Sequence, residues 1–302
     1  MGNRVTALRW RRLLRELGHR VEVRQTLAPG RGDVLIALHA RRSAEAIARF
    51  RRERPEAPLV VALTGTDLYL DLPHSAEARR SLRLATRIVV LQPAALRELP
   101  RAVRAKVRVV RQSATPVRGA PVKRRTFDVA VVGHLRAVKD PFRAEEAVRR
   151  LPAGSRLRVL HAGSALEPGL ERAAAERARA NARYRFLGEL PGWQARRLIA
   201  GSRLLVLTSI AEGGANVISE AVVAGVPILA SRIPSSEGLL GKRYPGFFPV
   251  GDTEALRRLL LRAESDPRFL SRLTAWCRRL GPLFTPARER AALAALQAEL
   301  DR

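Results

Sequence analysis

One stretch of the sequence decides the fold: Thr208-Ser-Ile-Ala-Glu-Gly-Gly-Ala-Asn-Val-Ile-Ser-Glu-Ala-Val-Val-Ala-Gly-Val-Pro227. It follows the apolar run Leu204 to Leu207, which is short enough for a buried parallel strand. Hydrophobicity is lost from Glu212 to Asn216 and then resumes with the spacing of a helix. We therefore predict a strand, a loop and a helix over Val217 to Ala224, with Asn216 as the N-cap residue.

The predicted loop has the composition of an anion-binding site. Gly213 and Gly214 let another group approach the backbone closely, and the N–H groups at the start of a helix attract phosphate. Glu212 and Glu220 frame the loop, and carboxylates accept hydrogen bonds from sugar hydroxyls. The pattern indicates a sugar-phosphate ligand. A simpler interpretation stays open, in which both glutamates only favour the positive end of the helix, at under about 1 kcal/mol each.

The same alternation of strands and helices extends over the whole chain and predicts an α/β fold with parallel sheets. We predict strands at residues 21–23, 33–39, 58–63, 88–91 and 107–110 in the first half, and at 127–132, 157–161, 184–187, 204–207 and 228–230 in the second. Between the halves, a stretch with proline, glycine and a basic run has no apolar period and indicates a linker. The predicted divisions are an N-terminal Rossmann-like domain (1–115), a linker (116–126), a C-terminal Rossmann-like domain (127–284) and a final helix (285–302).

Composition excludes several classes of protein. A chain of 302 residues with 46% apolar residues is large enough for two folded domains. No apolar run is long enough to span a membrane and no signal peptide opens the chain, so we expect a cytoplasmic protein without a membrane partner. The single cysteine, Cys277, excludes an internal disulfide, and we expect it to be structural.

The formal net charge of +28 allows an alternative function, the binding of nucleic acid. The charge is almost entirely arginine, because only four of the 56 basic residues are lysines: Lys106, Lys123, Lys139 and Lys242. The arginines are scattered over predicted helices and are not clustered with aromatic residues, as a base-stacking groove requires. We interpret most of them as solvated surface, with some preference for small anions, and we expect no nucleic-acid partner.

Further candidate residues lie at the predicted carboxyl ends of strands, where ligands of parallel sheets collect. Arg136 and Lys139 follow the first strand of the second half, and they either neutralise an anion or are ordinary surface cations. His39 follows a strand of the first half, and it either orients a substrate group or is simply hydrogen-bonded within the fold. The loop Thr64-Gly65-Thr66-Asp67 offers hydroxyls and one carboxylate, unless Asp67 only caps the loop. No residue spacing suits zinc or magnesium, so we expect no metal.

The glycine-rich stretch resembles the donor-binding signature of retaining glycosyltransferases of the GT-B type, family 4. In that family two glutamates with seven residues between them, as in Glu212 and Glu220, flank the turn. The resemblance implies two Rossmann-like domains that face a cleft, with the final helix crossing back to the first domain. It implies that Glu220 holds ribose hydroxyls and Glu212 contacts the transferred sugar. The residues of the turn would hold the nucleotide diphosphate: Gly213, Gly214, Ala215, Asn216 and Val217.

The same resemblance assigns roles to other segments of the second half. After Gly133, Arg136 and Lys139 match two cations that neutralise the diphosphate as it leaves. Leu190, in the loop Gly188-Glu189-Leu190, would meet the nucleobase through the backbone. The family uses a sugar nucleotide as co-substrate, so the resemblance implies no further cofactor.

Six segments taken together resemble one narrower family, the selenosugar synthases of selenoneine biosynthesis: Gly2-Asn3-Arg4-Val5-Thr6-Ala7, Leu38-His39-Ala40-Arg41-Arg42-Ser43, Ala62-Leu63-Thr64-Gly65-Thr66-Asp67-Leu68-Tyr69, Val132-Gly133-His134-Leu135-Arg136, Lys139-Asp140-Pro141 and Glu212-Gly213-Gly214-Ala215-Asn216-Val217. The likeness covers nearly the whole chain. It implies transfer of a sugar from UDP-N-acetylglucosamine, or a related UDP-hexose, to selenophosphate, which forms a carbon–selenium bond. Phosphate is then lost, and the 1-selenosugar passes to a selenoneine-forming enzyme.

This narrower resemblance implies residue roles on the acceptor side as well. Selenophosphate is already a soft, anionic nucleophile, so no strong general base is required. The expected acceptor-binding residues are His39, Arg41, Arg42, Thr64, Gly65, Thr66 and Asp67, with Arg4 beside them. The expected catalytic residues are Glu212, Arg136, Lys139, His39 and Asp67.

The beginning of the sequence departs from the expected pattern. A doubly wound half normally opens with a strand that feeds its first helix, whereas Met1-Gly2-Asn3 stands where that strand should already have ended. We therefore expect an N-terminal domain that lacks its first strand, and a weak hold on Gly2 and Asn3, which should approach the donor phosphates. Two alternative functions stay open: a family 4 transferase with an ordinary oxygen acceptor, and a basic binding protein without enzymatic activity.

Overall fold

The computed structural model describes residues 2–27, 32–65, 67–117 and 125–301. The chain forms two compact units. Unit 1 contains Met1–Ser113, Glu212–Gly214 and Thr285–Arg302, and unit 2 contains Ala114–Ala211 and Ala215–Phe284. The predicted acceptor residue Thr66 and most of the predicted linker lie outside the described residues.

Unit 1 is built on a sheet of four parallel strands that lie in sequence order: β1 (Leu35–Leu38), β2 (Leu59–Leu63), β3 (Arg87–Val90) and β4 (Val107–Val109). Its helices are α1 (Gly2–Glu16), α2 (Ala44–Glu53), α3 (Ala76–Leu84) and the C-terminal helix (Pro286–Leu300). All five residues of β2 are buried, which is the pattern of an inner strand covered by helices on both faces.

Two predictions for unit 1 are wrong. No strand forms at residues 21–23, and the first strand within the described residues is β1, at one edge of the sheet. A strand needs a neighbour to pair its backbone N–H and C=O groups, and Val23 remains 41% exposed. The amphipathic pattern at the start of the sequence predicts a helix from roughly Val5 to Leu17, whereas α1 already begins at Gly2. The apolar pattern marks only the buried face of a helix, so the polar first turn of α1 was not predicted.

Unit 2 contains a six-stranded parallel sheet. Its strands are β5 (Phe127–Val132), β6 (Leu157–Ala162), β7 (Tyr184–Phe186), β8 (Leu204–Leu207), β9 (Ile228–Ser231) and β10 (Phe247–Phe248), and they lie in the order β10-β9-β8-β5-β6-β7. Its helices are α4 (Arg143–Arg149), α5 (Leu170–Ala180), α6 (Gly192–Ala200), α7 (Asn216–Val223), α8 (Pro234–Leu240), α9 (Thr253–Ser265) and α10 (Pro267–Leu280). The strand order reverses direction at β5, because β6 and β8 lie on its two sides.

The C-terminal helix packs against α1 in unit 1. Its buried Glu289 accepts hydrogen bonds from Trp10 Nε1 and from the Ser113 N–H, each at 2.8 Å. Arg9 on α1 adds an ion pair to the same carboxylate at 3.0 Å. One buried carboxylate therefore joins the first helix, the last helix and the end of the segment after β4.

Both sheets are parallel and carry helices, so the predicted α/β class with two Rossmann-like units is confirmed. Cys277 lies buried in unit 2, and burial raises the pKa of its thiol to about 11. A thiol with so high a pKa is not reactive at neutral pH. Among the described residues, no helix combines the length and apolar character needed to cross a membrane.

Candidate functional site

The carboxyl edge of the unit 2 sheet holds the first group of candidate residues. The ends of β5, β6 and β8, together with the loops after β5 and β8, enclose a small pocket where the strand order reverses. Gly133, Lys139 and Thr208 are among the residues that line it. Ligands of open parallel sheets bind in crevices of this kind.

Lys139 is positioned by its backbone, in a single helical turn between β5 and α4. The Thr208 hydroxyl donates to the carbonyl oxygens of Lys139 and Asp140, at 2.9 Å each. The Ile210 N–H donates to the Val138 carbonyl, also at 2.9 Å. These bonds fasten the turn to the segment that follows β8, so Lys139 stays beside the pocket.

Arg136 is held by a carboxylate of the same unit. Its Nε lies 3.8 Å from Glu167 Oε1, and its side chain is 35% exposed. The other Glu167 oxygen accepts from the Ala137 N–H at 2.8 Å. Ion pairs at this level of exposure contribute at most about 1 kcal/mol, so Arg136 can exchange Glu167 for a bound anion at little cost.

Glycines shape the wall of this pocket. The Gly133 N–H donates to the Ala162 carbonyl at 2.9 Å, and the Gly163 N–H donates to the Gly188 carbonyl at 2.7 Å. The space where a Gly133 side chain would stand is open, whereas a Cβ at Gly163 would overlap the Gly133 carbonyl. Gly133 therefore offers open space to a ligand, and its N–H is already engaged within the sheet.

His161 lies beneath the same wall and is 1% exposed. Its Nδ1 forms a hydrogen bond with the Tyr184 hydroxyl at 2.9 Å. Burial lowers the pKa of His161 to about 4, partly opposed by a hydrogen bond with the Gly133 backbone. The imidazole is thus neutral at pH 7, and it links β6 to β7 and to the loop after β5.

Helix α7 begins earlier than the sequence indicates. It spans Asn216–Val223, Ala215 occupies the N-cap position, and no side chain caps the helix. The prediction of Asn216 as N-cap is therefore wrong, because Asn216 already belongs to the first turn. Asn216, Val217 and Glu220 are half-buried, as is Leu190 in the loop after β7.

Glu212, Gly213 and Gly214 belong to unit 1. A Cβ at Gly213 would lie 2.5 Å from the Thr64 carbonyl carbon, and a Cβ at Gly214 would lie 2.6 Å from Leu91 Cβ. Both glycines are therefore required by close packing within the protein, and the group that approaches the backbone of Gly213 is the loop after β2. Glu212 is 9% exposed.

The carboxyl ends of β1 and β2 hold a buried cluster in unit 1. His39, directly after β1, has a φ of 91° and is 3% exposed. Asp67 is fully buried, and its oxygens accept from the Ala40 N–H at 3.0 Å and the Gly65 N–H at 2.9 Å. Burial raises the pKa of Asp67 and lowers the pKa of His39. These bonds to backbone N–H groups are the ones expected from the simpler interpretation given above, in which Asp67 caps the loop.

The predicted acceptor arginines have different surroundings. Arg41 Nε lies 2.9 Å from Asp71 Oδ1, and the Arg41 side chain is 51% exposed. Arg42 is exposed and donates its backbone N–H to His39 Nδ1 at 3.3 Å. Arg4 is exposed on α1. Within the described residues, Arg42 thus has no carboxylate partner, whereas Arg41 has one.

The donor candidates at the start of the chain also lie in unit 1. Gly2 is the first residue of α1 and is exposed. The Asn3 side-chain oxygen accepts from the Thr64 hydroxyl at 2.8 Å. Asn3 therefore contacts the loop after β2, which is predicted to bind the acceptor.

Three residues contribute to these clusters although their roles were not predicted from the sequence. Asp71 follows Asp67 by four residues, the spacing of one helical turn, and this spacing was the available signal. Thr208 follows the apolar strand β8, and its hydroxyl bonds to the turn that carries Lys139. His134, in the pocket wall, forms a 2.8 Å hydrogen bond with Ser164, a pairing that sequence spacing does not reveal. Within the described residues, no group of three or more His, Cys, Asp or Glu side chains could hold a metal ion.

Comparison with solved structures defines the class of fold. HepE of Anabaena, solved with UDP, aligns over 88% of this chain and 78% of its own, with a TM-score of 0.72 and 17% identity. Sucrose-phosphate synthase of Thermosynechococcus elongatus aligns over 89% and 74%, with a TM-score of 0.73 and 17% identity. The pneumococcal O-GlcNAc transferase GtfA, solved with UDP and GlcNAc, aligns over 84% and 55%, with a TM-score of 0.69 and 14% identity. The chain has the GT-B fold of these glycosyltransferases.

Sequence comparison then gives the family. No curated protein sequence matches the chain significantly. The profile of the family described as glycosyl transferases group 1 matches residues 118–277, more than half of the chain. The chain therefore belongs to the glycosyl transferases group 1 family.

Proposed function

We propose that the protein is a selenosugar synthase, which transfers N-acetylglucosamine, or a related hexose, from its UDP-sugar to selenophosphate. The observation that carries the donor half is the pocket of unit 2, where Lys139 is fixed beside the open space at Gly133. Family membership supports this half, and HepE and GtfA, which share the fold, were solved with UDP. The acceptor half rests on the sequence resemblance.

On the donor side, Lys139 and Arg136 neutralise the diphosphate as it leaves. Charge-assisted hydrogen bonds of this kind contribute about 1.5 to 3 kcal/mol each, and more as charge develops on the leaving group. Glu220 holds the ribose hydroxyls, and Glu212 contacts the transferred sugar. The other proposed donor contacts are Gly2, Asn3, Gly133, Leu190, Gly213, Gly214, Ala215, Asn216 and Val217.

On the acceptor side, a selenium lone pair attacks the anomeric carbon. The bond from this carbon to the diphosphate oxygen breaks, and its electron pair leaves with UDP. Water then cleaves the phosphorus–selenium bond, which releases phosphate and the 1-selenosugar that a selenoneine-forming enzyme consumes. No proton has to be removed from the nucleophile. The proposed acceptor contacts are His39, Arg41, Arg42, Thr64, Gly65, Thr66 and Asp67.

Incubation of the purified protein with UDP-N-acetylglucosamine and selenophosphate, under reducing conditions, tests the reaction. We expect release of UDP, together with a sugar product that carries the selenium isotope pattern in mass spectrometry. Release of UDP only when a hydroxyl acceptor is present, with a product free of selenium, would contradict the selenophosphate proposal. It would support an ordinary oxygen-acceptor glycosyltransferase.

Two variants test the donor assignment. Lys139→Ala and Glu212→Ala should each lower turnover roughly a hundredfold or more with the fold intact, because each removes a group that acts on the reacting ends of the donor. The exposed Lys242→Ala and Glu56→Ala are matched controls and should keep wild-type turnover. Wild-type turnover in both test variants would contradict the donor-site assignment. No turnover in any of these proteins, with tight and salt-sensitive binding to DNA that Glu212→Ala leaves unchanged, would instead indicate a basic binding protein.

A further inference from the structure

Two conformational irregularities occur at neighbouring strand ends of unit 1. His39, after β1, has a φ of 91°, a region that residues other than glycine rarely adopt. After β2, residues Asp67–Asp71 form a single turn of π-helix. Such turns, and non-glycine residues held at positive φ, are concentrated at functional sites. The two irregularities meet, because His39 faces carboxylates at both ends of the π-helical turn.

The hydrogen bonds of His39 fix which ring nitrogen carries the proton. The Arg42 backbone N–H donates to His39 Nδ1 at 3.3 Å. An N–H donor needs a lone pair opposite it, so Nδ1 carries no proton. In a neutral imidazole the proton then resides on Nε2.

The second nitrogen faces Asp71. His39 Nε2 and Asp71 Oδ2 lie 3.5 Å apart, both are enclosed by protein, and neither makes another hydrogen bond. The opposite oxygen of Asp71 is held by Arg41 Nε at 2.9 Å. A buried donor and a buried acceptor that face each other are costly to leave unpaired, and a small rotation of either side chain brings them within bonding distance. Asp71 is therefore anchored on one side and aimed at His39 on the other.

We propose that Asp71 is a positioning residue, which holds the His39 imidazole in the tautomer with the proton on Nε2. In this tautomer both ring nitrogens are occupied, one by the Arg42 N–H and the other by its own proton. His39 accordingly does not remove a proton from the acceptor. Resting on the proposed function, this predicts an acceptor that arrives already deprotonated, which selenophosphate satisfies and an alcohol does not.

The charges around His39 are consistent with a neutral ring. Burial lowers the pKa of His39, and the nearby guanidinium groups of Arg42 and Arg41 lower it further. The carboxylates of Asp67 and Asp71 act in the opposite direction. The variant Asp71→Asn removes the Asp71 charge and therefore lowers the pKa of His39 further. The decline of activity at acid pH that reports protonation of His39 then moves to lower pH in this variant.

Nitrogen-15 NMR of histidine-labelled protein tests the tautomer without any assay of activity. The signals of His39 are assigned by their loss in His39→Gln. We expect the wild-type protein to show an unprotonated Nδ1, a protonated Nε2 and a slowly exchanging Nε2 proton. In Asp71→Ala this proton should exchange much faster with water, whereas the exposed Glu56→Ala should leave it unchanged. A wild-type ring protonated on Nδ1, or an unaltered spectrum in Asp71→Ala, would overturn the proposal.

A double-mutant cycle tests the route by which Asp71 acts. Asp71→Ala should lower kcat/KM for the acceptor about tenfold or more, and the same change in the His39→Gln background should have almost no further effect. Additive losses would mean that Asp71 acts independently of His39 and would contradict the positioning role. If no glycosyl transfer is found with any acceptor, the proposed function fails, and the NMR result still decides the tautomer.

Discussion

The carboxyl edges of the two sheets carry clusters of opposite character. At the unit 2 edge, Lys139 lines a small pocket, Arg136 lies in the same loop after β5, and the backbone of this loop is held by ordinary hydrogen bonds. At the unit 1 edge, His39 and Asp67 are buried, and the backbone includes a positive φ and a π-helical turn. A solvated cationic cluster is recognisable from residue types alone, whereas a buried acidic cluster depends on how two irregular turns meet.

The largest effect on stability is expected from Gly163→Ala, at the unit 2 edge. A Cβ there would lie 2.5 Å from the Gly133 carbonyl carbon and would overlap its oxygen, and the φ of 156° disfavours a side chain as well. Backbone atoms paired within the sheet cannot move aside, so we expect a loss of about 4 kcal/mol or more in the free energy of unfolding. Urea denaturation of the Gly163→Ala and wild-type proteins measures this difference in the free energy of unfolding.

The matched control for this prediction is Gly133→Ala, on the facing loop. A Cβ at Gly133 meets open space, so its cost should stay within about 1 kcal/mol. Equal stability of the Gly163→Ala and wild-type proteins would show that the loops after β5 and β6 are not packed as described.

The fold was predictable where burial dominates. The apolar runs that became β2 and β8 are completely buried, and their periods and lengths identify inner strands without tertiary information. The segment at residues 21–23, Val-Glu-Val, has two β-branched residues that favour a strand. It forms no strand, since pairing depends on a neighbour that local sequence does not specify. The start of α7 was also misplaced, because Asn216 is a favourable N-cap by residue type, whereas buried Ala215 occupies that position in the structure.

The candidate site was predictable only in part. The positions of Gly133, Arg136 and Lys139 follow from a strand end and a short spacing, and the structure does bring them to one edge of unit 2. Asp71 was missed because its contact with His39 needs a π-helical turn after β2, which no hydrophobic period encodes. The sequence also suggested a ligand as the group that approaches Gly213, and the structure has the Thr64 backbone there.

A second and smaller loss of stability is expected on acidification, and it arises from His161 of unit 2. Burial lowers its pKa to about 4 in the folded protein, against about 6.5 for an unfolded histidine. As the pH falls, the unfolded chain therefore binds a proton at this histidine before the folded chain does. The stabilisation from the neutral buried ring is complete above about pH 6.5 and is lost as the pH falls toward 4, which lowers the free energy of unfolding by roughly 3 kcal/mol in total. Unfolding free energies measured from pH 7 to pH 4.5 should show this decrease.

Two variants isolate the contribution of His161. His161→Gln should be less stable at pH 7, because it loses the fit to Tyr184, but its stability should change less between pH 7 and pH 4.5. His74→Gln, at an exposed position, should follow the wild-type dependence. An unchanged pH dependence in His161→Gln would mean that the buried ring does not limit stability in acid, and other buried groups would then have to carry it.

The smallest of these effects is expected at the unit 1 edge, from Gly213→Ala. The added methyl group would lie 2.5 Å from the Thr64 carbonyl carbon. Because Gly213 lies in a loop and its φ is not positive, the backbone can shift, and we expect a loss of about 2 kcal/mol. Gly65→Ala adds a methyl group where space is open and should cost less than about 1 kcal/mol, as thermal unfolding of both variants would show. If Gly213→Ala proved as stable as Gly65→Ala, the glycine would be needed for something other than packing against Thr64, and the ligand predicted from sequence would again be the best explanation for it.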